Sequence, residues 1–174
     1  MFTKILVALD RSASNQQVFS EAIALAKAAN ASIILLHVLS PEEEGSPDIS
    51  LMREEYYPGL SSEIAEMHRQ QWREFELQGL QMLKLRAEEA AAAGVNAETQ
   101  QIFGVPSRMI CNLARTWGAD LVVLGRRGHS GLQELFLGSV SNYVLHHAPC
   151  SVLTVQAGFN STSSRQQQQS EVTL

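Results

Sequence analysis

The stretch from Gly125 to Ser139 concentrates residue types that hold an anion. It reads Gly-Arg-Arg-Gly-His-Ser-Gly-Leu-Gln-Glu-Leu-Phe-Leu-Gly-Ser. Gly125 and Gly128 carry no Cβ, so the backbone can approach a ligand closely and adopt unusual φ values. Gly138 and Ser139 fall where a helix is expected to begin. Unpaired N–H groups and the helix dipole favour an anion there. The Ser139 hydroxyl adds one more donor. A guanidinium pairs well with phosphate, and of Arg126 and Arg127 the second is taken as the contact. The stretch is not a Walker A loop, since no Gly-Lys-Ser/Thr occurs, and it is not a G-x-G-x-x-G fingerprint. Spacing alone fits a phosphate cradle, and equally a glycine-rich turn followed by an ordinary serine cap.

Asp10 closes the apolar run Ile5–Leu9. A carboxylate there could serve as acid or base, orient a ligand hydroxyl, or cap the Ser12–Ser14 turn. The last two roles are preferred, because no histidine or second acid can be assigned a position beside it. His129 reads as a solvated loop residue. His37 lies inside an apolar run and reads as a packed, hydrogen-bonded core residue. His146-His147 has no nearby acid or cysteine to complete a metal site. Cys111 and Cys150 sit among apolar residues and read as small buried hydrophobes. Two cysteines make a structural disulfide or a four-cysteine zinc site an unfavoured reading. The runs Glu42-Glu43-Glu44 and Glu54-Glu55 read as a solvated face.

Elements must carry these groups. Ile5–Leu9 and Ser32–Val38 are continuous apolar runs, as strands buried on both faces require. Between them Ser14 opens a helix, with Gln17 placed to complete a capping box. Val18, Ala22, Leu25 and Ala29 recur at helical spacing. Residues 40–62 hold Pro41, Gly45, Pro47, Pro58 and Gly59 among acids and read as a long variable loop. A helix follows over about residues 62–93, with Ile64, Met67, Trp72, Phe75, Leu83 and Ala87 as its apolar stripe and Gly94 as its stop. Val95–Phe103 alternates and reads as an edge strand. Pro106 starts a third helix. Asp120–Leu124 is a fourth strand, a short helix begins near Ser139, and Ser151–Val155 is a fifth strand. The order β-α-β-α-β-α-β-α-β implies a parallel sheet with helices on both faces. Ligands of such sheets bind beyond the C-terminal strand ends, where the strand order switches.

The 174 residues suit one domain, over residues 1–156, and a short remainder. Residues 157–174 are Ser/Thr/Gln-rich and read as a disordered tail. The chain is 45% hydrophobic and 18% charged, enough apolar material for a core. A net charge of −5 disfavours general nucleic-acid binding. No stretch approaches the ~20 apolar residues of a membrane span, and no signal-peptide core is present. A cytoplasmic setting without membrane contact follows by default.

The spacing Gly-x2-Gly-x9-Gly-Ser, met by Gly125, Gly128, Gly138 and Ser139, resembles the ATP-binding signature of the universal stress protein family. Ile5–Asp10, Leu35–Val38, Asp120–Gly125 and Pro149–Val155 resemble that family's first, second, fourth and last strands. The resemblance spans about residues 2–155. It implies an α/β fold, a single-domain open parallel five-stranded sheet in the order 3-2-1-4-5 with helices on both faces, Rossmann-like and akin to the adenine nucleotide alpha hydrolases. Strands 1 and 4 are then neighbours. Asp10 would contact the ribose, and the Val38 backbone the adenine. Ala8, Leu9 and Leu124 would lie along the nucleoside. Gly125 and Gly128 would approach ribose and phosphates. Gly138, Ser139 and Val140 would supply phosphate ligands. The implied function is an ATP-binding, nucleotide-dependent stress-response regulator that binds ATP, ADP or AMP, with Mg as a companion of the phosphates.

A homodimer through the apolar edge strand 151–155 is expected both from its lack of blocking residues and from the resemblance. The rival reading is a slow ATP hydrolase or phosphoryl-transfer enzyme. Such chemistry needs a positioned metal, a charge-stabilising cation and a group orienting the nucleophile. Only Arg127 and Ser139 can be nominated, so a binder is preferred. A protein partner is left open.

Overall fold

The computed structural model describes residues 1–48, 62–126 and 137–156. Five strands and four helices alternate along the chain: β1 Lys4–Ala8, α1 Asn15–Ala29, β2 Ser32–Leu39, α2 Ser62–Ala92, β3 Ala97–Phe103, α3 Pro106–Trp117, β4 Leu121–Gly125, α4 Ser139–His147 and β5 Ser151–Val155. The strands form one parallel sheet in the order β3-β2-β1-β4-β5, as the sequence led us to expect. The expected tail, residues 157–174, and most of the expected 40–62 loop lie outside the described residues.

The three central strands are apolar on both faces because both faces are covered. Ile5, Val7, Ile33, Leu35, Leu121 and Val123 pack with Val18, Phe19, Ala22 and Ala26 of α1 and Leu83 and Ala90 of α2. Leu6, Ile34, Leu36, Val38, Val122 and Leu124 pack with Ile110, Cys111 and Ala114 of α3 and Val144 of α4. Both clusters are dominated by fully buried aliphatic side chains, each worth about 1.5–3 kcal/mol of transfer free energy. The two edges are wetter. β3 has no fully buried residue, and in β5 only Val155 is buried.

Strand register sets the shape of the sheet's C-terminal end. Ala8, at the end of β1, pairs with Leu36 on one side and Leu124 on the other. β2 runs on with β3 as far as the Leu39–Phe103 pair. The β2–β3 ladder therefore overhangs β1 by three residues, about 10 Å at the usual strand rise, and β4, which runs on to Gly125, by two.

Three local expectations need correction. Ser14 caps α1 without a capping box: its own φ and ψ are helical and it makes no side-chain cap bond. Its hydroxyl bonds Ser12 instead. The buried face of α2 runs through His68, Phe75, Gly79, Leu83 and Ala90. Ile64 and Met67, expected in that stripe, are exposed. At Gly79 the helix passes over His37 and Gln101, where a Cβ would not fit, and buried His68 bonds the Asp48 carbonyl. Cys150 is half-buried rather than buried, whereas Cys111 is in the core. Burial raises the pKa of both thiols, and neighbouring Asp120 adds to the effect at Cys150.

Candidate functional site

A cavity of about 320 Å³ opens at the C-terminal end of the sheet, where β1 and β4 lie side by side. Its lining brings together Ala8, Leu9 and Asp10 after β1, Val38 of β2, Leu124 and Gly125 of β4, and Gly138, Ser139 and Val140 at the start of α4. Arg127 and Gly128, the two other expected site residues, lie outside the described residues, as does His129. Leu36, Val18, Pro106 and Ile110 supply apolar wall, and Ser14, Asn15, Ser40, Glu42, Glu43 and Ser141 supply polar groups.

The Asp10 turn is closed by its own carboxylate. Oδ1 accepts the Ser12 N–H at 3.1 Å and the Ser12 hydroxyl at 2.5 Å. The Ser12 proton is thereby used, so the Ser14 hydroxyl is the donor in the 2.7 Å contact between the two serines. This is the turn-capping role read from the sequence, and it holds Asp10 at the cavity. Asn15, 6% exposed, fixes the same turn from behind: its amide donates to the Asp10 carbonyl at 2.5 Å. The Asn15 carbonyl accepts Arg86 Nε from α2 at 3.0 Å, and Arg86 is held in turn by Glu89.

The far side of the cavity is strapped to the same turn. His37 is fully buried, as expected for a core histidine. Gln101 Nε2 donates to the Glu76 carbonyl and to His37 Nδ1, the latter at 2.9 Å. His37 Nδ1 is then the acceptor, which leaves the proton on Nε2. Nε2 donates to Glu43 at 3.0 Å, and the same carboxylate accepts the Arg11 N–H at 3.1 Å. The Glu43 side chain is only 6% exposed. It does not join the solvated acidic face expected of the three consecutive glutamates. Its partners are His37 on β2 and the Arg11 N–H in the turn after β1, 32 residues earlier, a pairing that hydropathy does not mark.

The β4 side ends at a helix N-terminus. Gly138 N–H donates to the Arg126 carbonyl at 3.0 Å, and the Ser141 hydroxyl is shared between the Gly125 and Arg126 carbonyls. The first bond of α4 runs from Asn142 N–H to the Gly138 carbonyl. The N–H groups of Ser139, Val140 and Ser141 therefore have no acceptor within the helix. Asp10, Glu42 and Glu43 make the described lining acidic, and no Lys or Arg is among its described residues. Among the described lining residues, the α4 N-terminus is the feature suited to attract an anion.

The model of the universal stress protein family matches residues 1–156. The chain belongs to the universal stress protein family. Universal stress protein Sll1388 of Synechocystis is 38% identical over 159 residues, covering 89% of this chain and 98% of that protein. Universal stress protein YxiE of Bacillus subtilis is 38% identical over 156 residues, covering 90% and 100%. Among solved structures, a universal stress protein in complex with cAMP superposes with a TM-score of 0.60 at 22% identity, covering 90% of this chain and 98% of that one. A universal stress protein family protein from Arabidopsis thaliana with AMP bound gives a TM-score of 0.60 at 22% identity, covering 93% and 96%. These likenesses carry the fold. Sequence reasoning missed Asn15, Ser40 and Glu43 as cavity residues. Asn15 five residues after Asp10 was the one signal within reach, and its partner Arg86 lies 71 residues further on.

Proposed function

We propose that this universal stress protein binds an adenine nucleotide, ATP or its products ADP and AMP, in the cavity at the ends of β1 and β4, and acts in the cytoplasm as a nucleotide-dependent stress-response regulator. The observation that carries the reading is the pairing of the Asp10 turn with the unfilled N–H groups of α4 across one cavity. A ribose hydroxyl suits the Asp10 carboxylate, and phosphate suits the helix N-terminus. The cavity volume lies in the range of small-ligand sites. The cAMP and AMP found in two structural relatives point the same way. Arg127 and Gly128 complete the phosphate end by their place in the glycine motif. Among the described residues no group of three His, Cys, Asp or Glu side chains could hold an ion. Magnesium would travel with the phosphates.

The working form is a homodimer through β5. This strand is a sheet edge, with Leu153 37% exposed on it. A two-fold axis lets the strand pair with its own copy and closes the assembly at two. Calorimetry with ATP and AMP tests the site. Gly128→Val places a branched side chain where phosphate must approach, and binding should fall at least tenfold. Unchanged affinity would show that the site lies elsewhere.

A further inference from the structure

Ser40 stands out among the polar groups of the cavity. It is 2% exposed, lines the cavity and follows Val38 by two residues. The Ser40 oxygen accepts the Glu42 N–H at 3.2 Å. A hydroxyl has one proton to give, and among the described residues no acceptor receives it. A buried donor without an acceptor is costly, and a ligand atom would relieve the cost.

The surroundings say which part of a ligand that is. Leu36, Val38, Pro106 and Ile110 give the cavity an apolar wall, as a flat ring needs, and Ser40 with Glu42 and Glu43 adds polar groups to the same lining. β2 is separated from β4 by β1, so the two strand ends lie about 10 Å apart. That separation is about the span from phosphate to base in a nucleotide. With phosphate at the α4 N-terminus, the base comes to rest at the β2 end. A purine ring offers bare nitrogens as acceptors at positions 1, 3 and 7.

We infer that Ser40 is a specificity-determining residue whose hydroxyl donates to a ring nitrogen of the bound base. The inference rests on the adenine-nucleotide reading and adds to it a contact outside the glycine motif. The donor selects a heterocycle with an unprotonated nitrogen at one position, and it rejects rings that carry C–H there. Loss of the hydroxyl leaves the Glu42 N–H to water, because Glu42 is exposed.

Calorimetry of the full chain with ATP and with its 1-deaza, 3-deaza and 7-deaza analogues tests this. Ser40→Ala should weaken ATP about three- to tenfold, the worth of one neutral hydrogen bond. One analogue should bind the parent more weakly by a similar factor, and Ser40→Ala should cost that analogue nothing further. Equal loss on ATP and all three analogues would mean that the hydroxyl only shapes the turn, and would overturn the inference. So would unchanged binding of ATP by Ser40→Ala. If that variant does not fold, the parent decides: equal affinity for all four nucleotides overturns the proposal. A parent that binds none of them refutes the adenine-nucleotide reading itself, which is a separate result.

Discussion

Gly79 sits in the middle of α2, where alanine would ordinarily be the better residue. Replacing glycine by alanine inside a helix is worth about 1 kcal/mol of stability. Here the backbone passes directly over the His37–Gln101 pair. A Cβ at position 79 would stand 2.2 Å from Gln101 Nε2, 2.5 Å from His37 Nδ1 and 2.6 Å from His37 Cε1. Carbon contacts settle near 3.5–4.0 Å, so each is short by about 0.9 Å or more. Gln101 can swing its amide away. His37 cannot, because its ring is fully buried and bonded to Glu43. Overpacking of this kind costs about 1–3 kcal/mol. Displacing Gln101 also orphans His37 Nδ1, a further ~1–3 kcal/mol. Set against the propensity gain, Gly79→Ala should be destabilising by about 1–5 kcal/mol. Thermal unfolding followed by circular dichroism should show Tm lower by roughly 2–4 °C per kcal/mol for a domain of this size. Gln71→Ala, exposed on the same helix, should change stability by less than about 0.5 kcal/mol. A Gly79→Ala protein as stable as the parent, or more so, would refute the close approach of α2 to the His37 layer.

Asp120 is partly desolvated, which pushes its pKa up, but the Thr3 hydroxyl and the Thr3 and Lys4 N–H groups outweigh this and hold it below the usual carboxylate value. A lowered native pKa gives stability that is complete above the unfolded pKa of about 3.9 and is lost as pH falls through the native pKa. Asp120→Asn should therefore cost on the order of 1 kcal/mol at pH 7, and urea titrations below pH 4 should show the difference shrinking. Asn15→Ala removes the brace on the Asp10 carbonyl, and should lower both urea stability, by about 1–3 kcal/mol, and calorimetric affinity for ATP. ATP turnover by the pure protein should lie far below the ~1 s⁻¹ lower range of ordinary enzymes; robust turnover abolished by Asp10→Ala or Ser139→Ala would favour the hydrolase reading. Light scattering should find a dimer for the parent and a folded monomer for Leu153→Pro, which removes a strand donor.

Much of the fold can be read directly in the residues. Ile5–Leu9, Ser32–Val38 and Leu121–Leu124 are apolar without alternation, and only a sheet covered on both faces uses such runs. The glycines at 125 and 138 and the acid at 10 could be marked for the same reason that the cavity gathers them: strand ends and helix starts are where backbone groups lie open. The missed residues share a different property. The buried face of α2 includes, beside the expected Phe75 and Leu83, His68 and Gly79, which hydropathy does not count as core. Glu43 looks solvated beside two other glutamates, yet its partner His37 belongs to a strand and is oriented from Gln101, 64 residues later. Such networks depend on which strands become neighbours, and no window along the chain contains that information.

The overhang of β2 beyond β1 acts as a ruler. The cavity floor is the end of the short strands, and its tall side is the extra length of β2, which carries Val38 and then Ser40 into the lining. Depth is thus counted in peptide units, whereas width is set by the side chains along the wall. Substitution at positions such as 36, 38 or 110 can widen or narrow the slot by a methyl group at a time. Making it one step deeper would mean sliding β2 by one residue, which would turn Leu36 and His37 to the wrong faces of a sheet buried on both sides. Selection and design are therefore free to retune what fits across this cavity, while how far a ligand can sink into it is inherited with the strand lengths.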